Sequence, residues 1–145
     1  MNDRGVNIFD QQYKDIPGSN PKRFTTAYDG QCDAELTRIY DDMLREVPGL
    51  TYSLSVDNNG YAPAHNGIFS NAPSGDPAID LAKCRHKRMF NDPVGLKLAR
   101  NQKTSLFQTY VRDTGEILSD LSMPIVIGGR HWGAVRIGFK SDLVV

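Results

Sequence analysis

The sequence predicts an α+β domain in which a long N-terminal helix precedes a five-stranded antiparallel sheet, with short helices between strands two and three. Three runs rich in Val, Ile, Thr, Tyr and Phe, between residues 106 and 139, are joined by short Gly-bearing turns. Such runs are typical of an antiparallel meander. An apolar stripe at helical spacing and a fourth alternating run lie upstream of them. These observations together indicate the α+β class.

The first predicted element is a helix that starts at residue 21. Asn20 is a good N-cap, and Pro21 suits the first helical position because its missing N–H would have no partner there. Apolar residues then recur every three or four positions, which indicates an amphipathic helix. They are Tyr28, Cys32, Leu36, Ile39, Tyr40, Met43 and Leu44. The helix ends before Pro48. Its length of about 25 residues exceeds what a small sheet needs for cover, so we expect it to contribute to a homodimer contact.

Two strands are predicted after this helix. Side chains alternate between apolar and polar over residues 52–57, which predicts a half-buried strand. A turn signal at residues 57–60 can return the chain as a second strand over residues 61–65. Pro63 restricts that second strand to an edge, because proline cannot donate to a sheet ladder.

The segment between the second strand and the meander is predicted to be a loop followed by short helices. Residues 66–77 are rich in Gly, Asn, Ser and Pro, which is typical of a loop. Residues 80–90 have short helical spacing. Asp92 and Pro93 then form a cap and a first helical residue, which predicts a second short helix. The three strands of the meander complete the sheet.

The two faces of the meander differ in polarity. Side chains alternate across a strand, so Gln108, Tyr110 and Arg112 share one face. On the last strand Trp132 and Arg136 share a face, and the register implied by the turns places it beside the first. This polar face is either a solvated outer surface or, if another segment covers it, the wall of a ligand cavity.

Length and charge limit the class of protein. A chain of 145 residues can bury most of its apolar surface in one core, so we expect one domain over residues 21–140. Residues 1–20 are a lead-in and residues 141–145 a C-terminal tail. Lys plus Arg and Asp plus Glu number 17 each, so the chain lacks the basic excess that binding of a phosphate backbone usually requires. We therefore expect no nucleic-acid partner.

The sequence also lacks the patterns of a membrane or secreted protein. No run approaches the roughly 18 consecutive apolar residues of a membrane span, and the N-terminus has no signal-peptide pattern. We therefore expect a soluble chain without direct membrane insertion. Cys32 lies in a helical pattern and Cys84 in a basic stretch, so they do not indicate a disulfide framework. This favours a reducing compartment.

Four stretches of the sequence carry a resemblance to a known family. They are DNNGYAPAHN at residues 57–66, RHKRMFND at 85–92, QTYVRDTGE at 108–116 and GRHWGAVRIG at 129–138. These stretches resemble a soluble Cache/PAS-like sensory domain of bacterial methyl-accepting chemotaxis proteins. Residues 9–10 and 16–21 are similar to the segment that leads into that domain.

The resemblance implies the small-molecule sensory domain of a bacterial chemoreceptor, acting in chemotaxis signal transduction. Its partner in the full-length protein would be the signalling coiled coil of the receptor. The expected location is the cytoplasm, with the periplasm as the alternative.

Seven residues within these stretches are candidates for ligand binding: Tyr61, His65, Arg88, Gln108, Tyr110, Arg112 and Trp132. A planar guanidinium pairs bidentately with a carboxylate, so the arginines point to a small polar or anionic ligand. The alternative is that these arginines and Arg136 pair with acids of the chain and hold the fold together. The acids in question are Asp92, Asp113 and Asp120.

The histidines and cysteines form no pattern typical of a metal or catalytic site. Cys84-x-His86 is not a recognised zinc spacing, and the G-x-S-x-G turn of a serine nucleophile is missing. We therefore expect a protein that is not an enzyme and that binds no metal and no cofactor. Two alternatives for the function stay open. One is a ligandless dimerisation or signal-relay module, and the other is a haem-binding redox or gas sensor that uses His65.

Overall fold

A computed structural model describes residues 6–141, so residues 1–5 of the predicted lead-in and residues 142–145 of the predicted tail lie outside the described residues. The α+β class is confirmed. The described residues form three α-helices, α1 (Asp29–Glu46), α2 (Pro77–Lys83) and α3 (Pro93–Ala99), and six strands, β1 (Lys14–Asp15), β2 (Phe24–Thr25), β3 (Leu50–Asp57), β4 (Leu106–Val111), β5 (Ile117–Ile127) and β6 (Arg130–Lys140). Within residues 6–141 no helix is both long and apolar enough to cross a membrane.

The main sheet is antiparallel, with the strand order β3-β6-β5-β4. The predicted meander is confirmed, because β4, β5 and β6 follow one another in the chain and pair with their neighbours. Gly115, Gly128 and Gly129 have φ angles of 91°, 59° and 79° at the two hairpin turns, a region in which glycine has no steric penalty. The other sheet is the small antiparallel pair β1-β2.

The prediction of a fifth strand over residues 61–65 is wrong. This segment pairs with residues 87–90 and stays outside the main sheet. The Ala62 N–H donates to Arg88 O at 3.0 Å, and the Lys87 N–H donates to Ala62 O at 2.7 Å. A single bridge, Tyr61 to Met89, is its only ladder element among the described residues. Pro63 lacks the N–H that a longer ladder would need.

The predicted start of the long helix is also wrong. The helix α1 begins at Asp29 and has 18 residues, or about 27 Å at the standard rise. Residues 21–28 instead form β2 and a turn, in which the Asp29 carboxylate accepts from the Thr26 N–H at 3.1 Å and the Thr26 hydroxyl at 2.6 Å. The Ser19 hydroxyl accepts from the Arg23 N–H at 2.9 Å, so the polar residues before Arg23 stabilise a turn and not a helix start.

Both faces of β3 are covered, so the predicted half-buried strand is buried on both sides from Tyr52 to Asp57. On one face α1 packs against the serines of β3, where the Ser53 hydroxyl donates to Tyr40 O at 2.7 Å. On the other face the segment of residues 61–101 packs on the sheet, and the Ser122 hydroxyl donates to Leu98 O in α3 at 2.7 Å. The sheet is therefore the common wall of two layers.

A bulge in β6 changes the direction of one predicted site residue. Ile125 pairs with Gly133 and Val126 pairs with His131, so Trp132 between them has no partner residue on β5. The Trp132 side chain packs with Ile8 and other apolar residues on the α1 side. The prediction that Trp132 shares the face of Arg136 and Tyr110 is therefore wrong, because a bulge breaks the alternation on which it rested.

The two predicted short helices lie between β3 and β4. Asp76 caps α2, where its carboxylate accepts from the Ala78 N–H at 2.9 Å. Asp92 caps α3 as the sequence predicts, accepting from the Gly95 N–H at 3.2 Å, with Pro93 at the first helical position. These caps fix where the covering segment turns back toward the sheet.

Candidate functional site

A cavity of about 260 Å³ lies between the main sheet and the segment that covers it. Its volume is that of roughly nine water molecules. Strands β3, β4 and β6, the turn after β4 and the covering segment all contribute to its wall. The lining residues are Tyr52, Leu54, His65, Arg85, Phe90, Asp92, Tyr110, Val111, Arg112, Asp113 and Arg136. Three guanidinium groups and several aromatic rings therefore converge on one space.

Arg112 is held at the end of β4 by the hairpin turn. Its N–H donates to Glu116 O at 2.7 Å, and its guanidinium lies over the rings of Tyr52 and Phe69, 5.4 and 5.8 Å from their centroids. The guanidinium Nη1 is 3.2 Å from Glu116 Oε1. The Arg112 side chain is 5% exposed and that of Glu116 is 49% exposed, so water screens this ion pair from one side.

Arg85 and Arg88 share one carboxylate, that of Asp113. Arg85 Nη1 is 2.9 Å from Asp113 Oδ1, and Arg88 Nη2 is 2.7 Å from Asp113 Oδ2. Both guanidinium groups lie over the Phe90 ring, at 5.2 and 5.0 Å from its centroid. Arg85 Nε is buried and has no hydrogen-bond partner among the described residues. Two cations thus face one anion.

A network of two tyrosines, an arginine and an aspartate closes the floor of the cavity. The Tyr52 hydroxyl lies 2.5 Å from that of Tyr110 and also donates to Asp120. Arg136 Nη2 donates to the Tyr110 hydroxyl at 3.2 Å. Burial, followed by the carboxylate of Asp120, raises the pKa of Tyr52, and burial also raises the pKa of Tyr110. Both phenols therefore stay protonated near neutral pH. The Tyr52 proton is donated to Asp120, so Tyr110 is the donor in the 2.5 Å contact between the two hydroxyls.

His65 contributes a neutral imidazole to the wall. Its Nδ1 accepts from the Asn66 N–H at 2.8 Å, so the proton of the neutral ring is on Nε2. Burial lowers the pKa of His65 well below its ordinary value, and the positive charges of Arg85, Arg112 and Arg136 lower it further. The ring therefore remains uncharged at neutral pH and offers a donor.

The positively and negatively charged side chains of the cavity differ in their exposure to solvent. The side chains of Arg85, Arg112 and Arg136 are 5–7% exposed, whereas those of Asp113 and Glu116 are 31% and 49% exposed. The cations therefore lie on the inner wall, and two of the acids that balance them lie toward solvent. Together with the Nε2 donor of His65, this arrangement favours an anion that enters with its negative group first.

Three of the seven predicted site residues line this cavity: His65, Tyr110 and Arg112. Arg88 lies next to it, joined through Asp113. The other three, which are Tyr61, Gln108 and Trp132, are not among its lining residues. The Tyr61 hydroxyl is 2.5 Å from Asp29 Oδ2 and holds the start of α1 to the covering segment.

Trp132 lines a second, smaller cavity on the opposite face of the sheet. This cavity has a volume of about 90 Å³ and is walled by α1, β3, β5, β6 and the N-terminal segment. Trp132 Nε1 donates to Ile8 O at 2.7 Å, which ties the N-terminal segment to the sheet. Its lining is almost wholly apolar: Ile8, Tyr28, Cys32, Leu36, Ser55, Ile125, Ile127 and Trp132.

The candidates from the sequence omitted several wall residues. Arg85 belongs to the basic cluster RHKR, but the pattern does not show which of its members turns inward. Arg136 lies on the polar face and in one of the stretches that carry the resemblance, but it is not among the seven candidates. Tyr52 and Phe90 carry no sequence signal for a site. Tyr52 lies on β3, and the path of the covering segment brings Phe90 to the cavity.

In the described range 6–141 no group of three His, Cys, Asp or Glu side chains could hold a metal ion. Cys84 is buried, and burial raises the pKa of its thiol. The unreactive thiol form is therefore favoured there.

Comparison of the sequence with models of known families gives no matching family, and no curated protein matches the chain.

Proposed function

We propose that this chain is a small-molecule-binding sensory domain, of the Cache/PAS-like kind found in bacterial chemoreceptors, and that it binds a small anion in the arginine-lined cavity. The observation that supports the proposal most directly is the burial and weak pairing of the Arg112 guanidinium. Its guanidinium is buried over two aromatic rings, while its carboxylate partner, Glu116, is half exposed. A buried guanidinium that is weakly paired favours a second, better-desolvated anion.

A binding role accounts for the wall better than a catalytic one. The neutral His65 has one ring nitrogen engaged by the Asn66 N–H, so it does not accept a proton through Nδ1 without losing that bond. The arginines and the Nε2 of His65 supply hydrogen-bond donors, which fix a ligand in place. We also do not extend the proposal to a haem at His65, because a cavity of roughly nine water volumes is small for a porphyrin.

A thermal-shift screen of small organic acids, amino acids and purines on the purified chain tests the proposal. A ligand that binds only the folded state raises the unfolding temperature by mass action. We expect organic acids to raise it in a concentration-dependent manner, and we expect Arg112→Ala to remove the rise. The proposal fails if no anion in the screen stabilises the protein at millimolar concentration.

The runner-up is a dimerisation or signal-relay module that binds no ligand. Ile39 and Val47, on and just after α1, are 41% and 44% exposed, so part of the apolar stripe is left for a partner. A second copy of the chain would bury it. A negative thermal-shift screen together with a dimer in light scattering would favour this candidate.

A further inference from the structure

The charges around the cavity constrain the net charge of what can bind there. Arg136 is matched by Asp120, and Arg112 by Glu116. Arg85 and Arg88 have only Asp113 between them. Asp92, the remaining acid of the wall, is exposed and interacts with the N–H groups at the start of α3. The pairing therefore leaves one guanidinium charge without a carboxylate.

The rest of the wall constrains the body of the ligand. The side chains of Leu54 and Phe90, together with the rings of Tyr52 and Tyr110, give the cavity apolar and aromatic surface on several sides. A polyhydroxylated ligand would lose its hydrogen bonds to water against such surface, whereas an apolar ring or branched chain would not.

We propose that the ligand is a monocarboxylate with a compact apolar body, such as a single aromatic ring, and that the site discriminates against dianions. One carboxylate balances the guanidinium charge that Asp113 leaves unmatched between Arg85 and Arg88. A second negative charge would be desolvated without a partner, which is costly. This inference rests on the proposed function of the cavity.

The test compares four probes that differ in one property each, by calorimetry on the purified chain. Benzoate has one charge and a ring, phthalate has a second charge, benzyl alcohol has no charge, and propionate has no ring. We expect benzoate to bind at least about tenfold more tightly than each of the other three. Equal or tighter binding of phthalate or propionate overturns the inference while leaving an anion site in place. Binding of none of the three acids overturns the proposed function itself.

Variants that lack one acid of the cavity test whether the charge balance causes the preference for a monoanion over a dianion. Asp113→Asn leaves two guanidinium charges unmatched, so the ratio of phthalate to benzoate affinity should rise by about tenfold or more. Glu116→Gln removes an acid at a more exposed position and should shift the ratio in the same direction, which covers a failure of Asp113→Asn to fold. Glu35→Gln, on an exposed position of α1, is the control and should leave the ratio unchanged. An unchanged ratio in a folded Asp113→Asn or Glu116→Gln variant contradicts the inference.

Discussion

Arg136 donates two hydrogen bonds to a single oxygen of Asp120, from Nε at 3.1 Å and from Nη2 at 2.8 Å. The Arg136 side chain is 5% exposed and that of Asp120 is fully buried. The structural pairing that the sequence offered as an alternative for its arginines therefore holds for Arg136. The nearby carboxylate raises the pKa of Arg136 against the effect of burial, so the arginine stays charged.

We expect Arg136→Leu to lower the free energy of unfolding by about 3–5 kcal/mol, because Asp120 is left as a buried charge without a partner. The double variant Arg136→Leu, Asp120→Leu should recover much of this loss, since neither charge then remains. Urea unfolding of the two variants and the unaltered chain measures the effect. A single variant within about 1 kcal/mol of the unaltered chain would show that the pair contributes little.

Arg112→Ala should affect ligand binding and not stability, in contrast to Arg136→Leu. We expect it to weaken benzoate binding by about 2–5 kcal/mol, because it removes a desolvated guanidinium that contacts the ligand. The apo variant should keep its cooperative unfolding, since the partner that remains, Glu116, is half exposed and can be hydrated. Arg38→Ala, on an exposed part of α1, is the matched control. If Arg112→Ala unfolds the apo chain while the folded fraction binds benzoate normally, Arg112 is structural.

His65 and His86 should make stability depend on pH below neutrality. Burial and nearby positive charges lower the pKa of His65 well below its ordinary value of 6.5 and lower the pKa of His86 to about 4. Below pH 6.5 the two histidines are protonated in the unfolded chain but not in the folded chain, so lowering the pH favours unfolding. Stability present above pH 6.5 is therefore lost as the pH falls toward 4.

His65→Gln should flatten that pH dependence, because glutamine has no titrating proton in either state. The free energy of unfolding in urea, measured at pH 7, 6 and 5, gives the slope for each variant. His86→Gln should remove the contribution of His86, whose ring contacts Arg23 on another segment. Slopes that are the same in both variants as in the unaltered chain would contradict the assignment.

We expect the chain to be a homodimer at micromolar concentration, with α1 in the contact. Ile39→Glu should shift light scattering toward the monomer, because it places a charge in the exposed part of the apolar stripe. Ile79→Glu, at a position of α2 that is 52% exposed, is the control for a general effect of a new surface charge. A monomer in the unaltered chain would rule out the dimer prediction.

The sequence predicted the meander well, because a hairpin is specified locally by its turn residues. It failed for the start of α1, since Asn20 and Pro21 suit a turn as well as a helix. It also failed for the strand at residues 61–65, where the competing partner, residues 87–90, lies more than twenty positions away in the chain. Local patterns do not decide between two such partners.

The same limit applies to the candidate site. Tyr110 and Arg112 were predicted from alternation on β4, and alternation holds there because β4 has no bulge. Trp132 was misplaced because a bulge is invisible in the pattern. Arg85 and Phe90 reach the cavity only through the tertiary path of the covering segment, which no spacing of residues indicates.

Asp113 and Glu116 both belong to the short turn between β4 and β5, and each already occupies a guanidinium of the cavity. Because these two carboxylates belong to the same chain as the arginines, they compete with any incoming anion for the guanidinium groups. Their effective concentration is high and does not change on dilution. The observed affinity of a ligand is therefore lower when a larger fraction of the molecules has Asp113 and Glu116 paired with the arginines. We expect moderate affinity and rapid exchange, the properties by which a receptor follows a changing concentration.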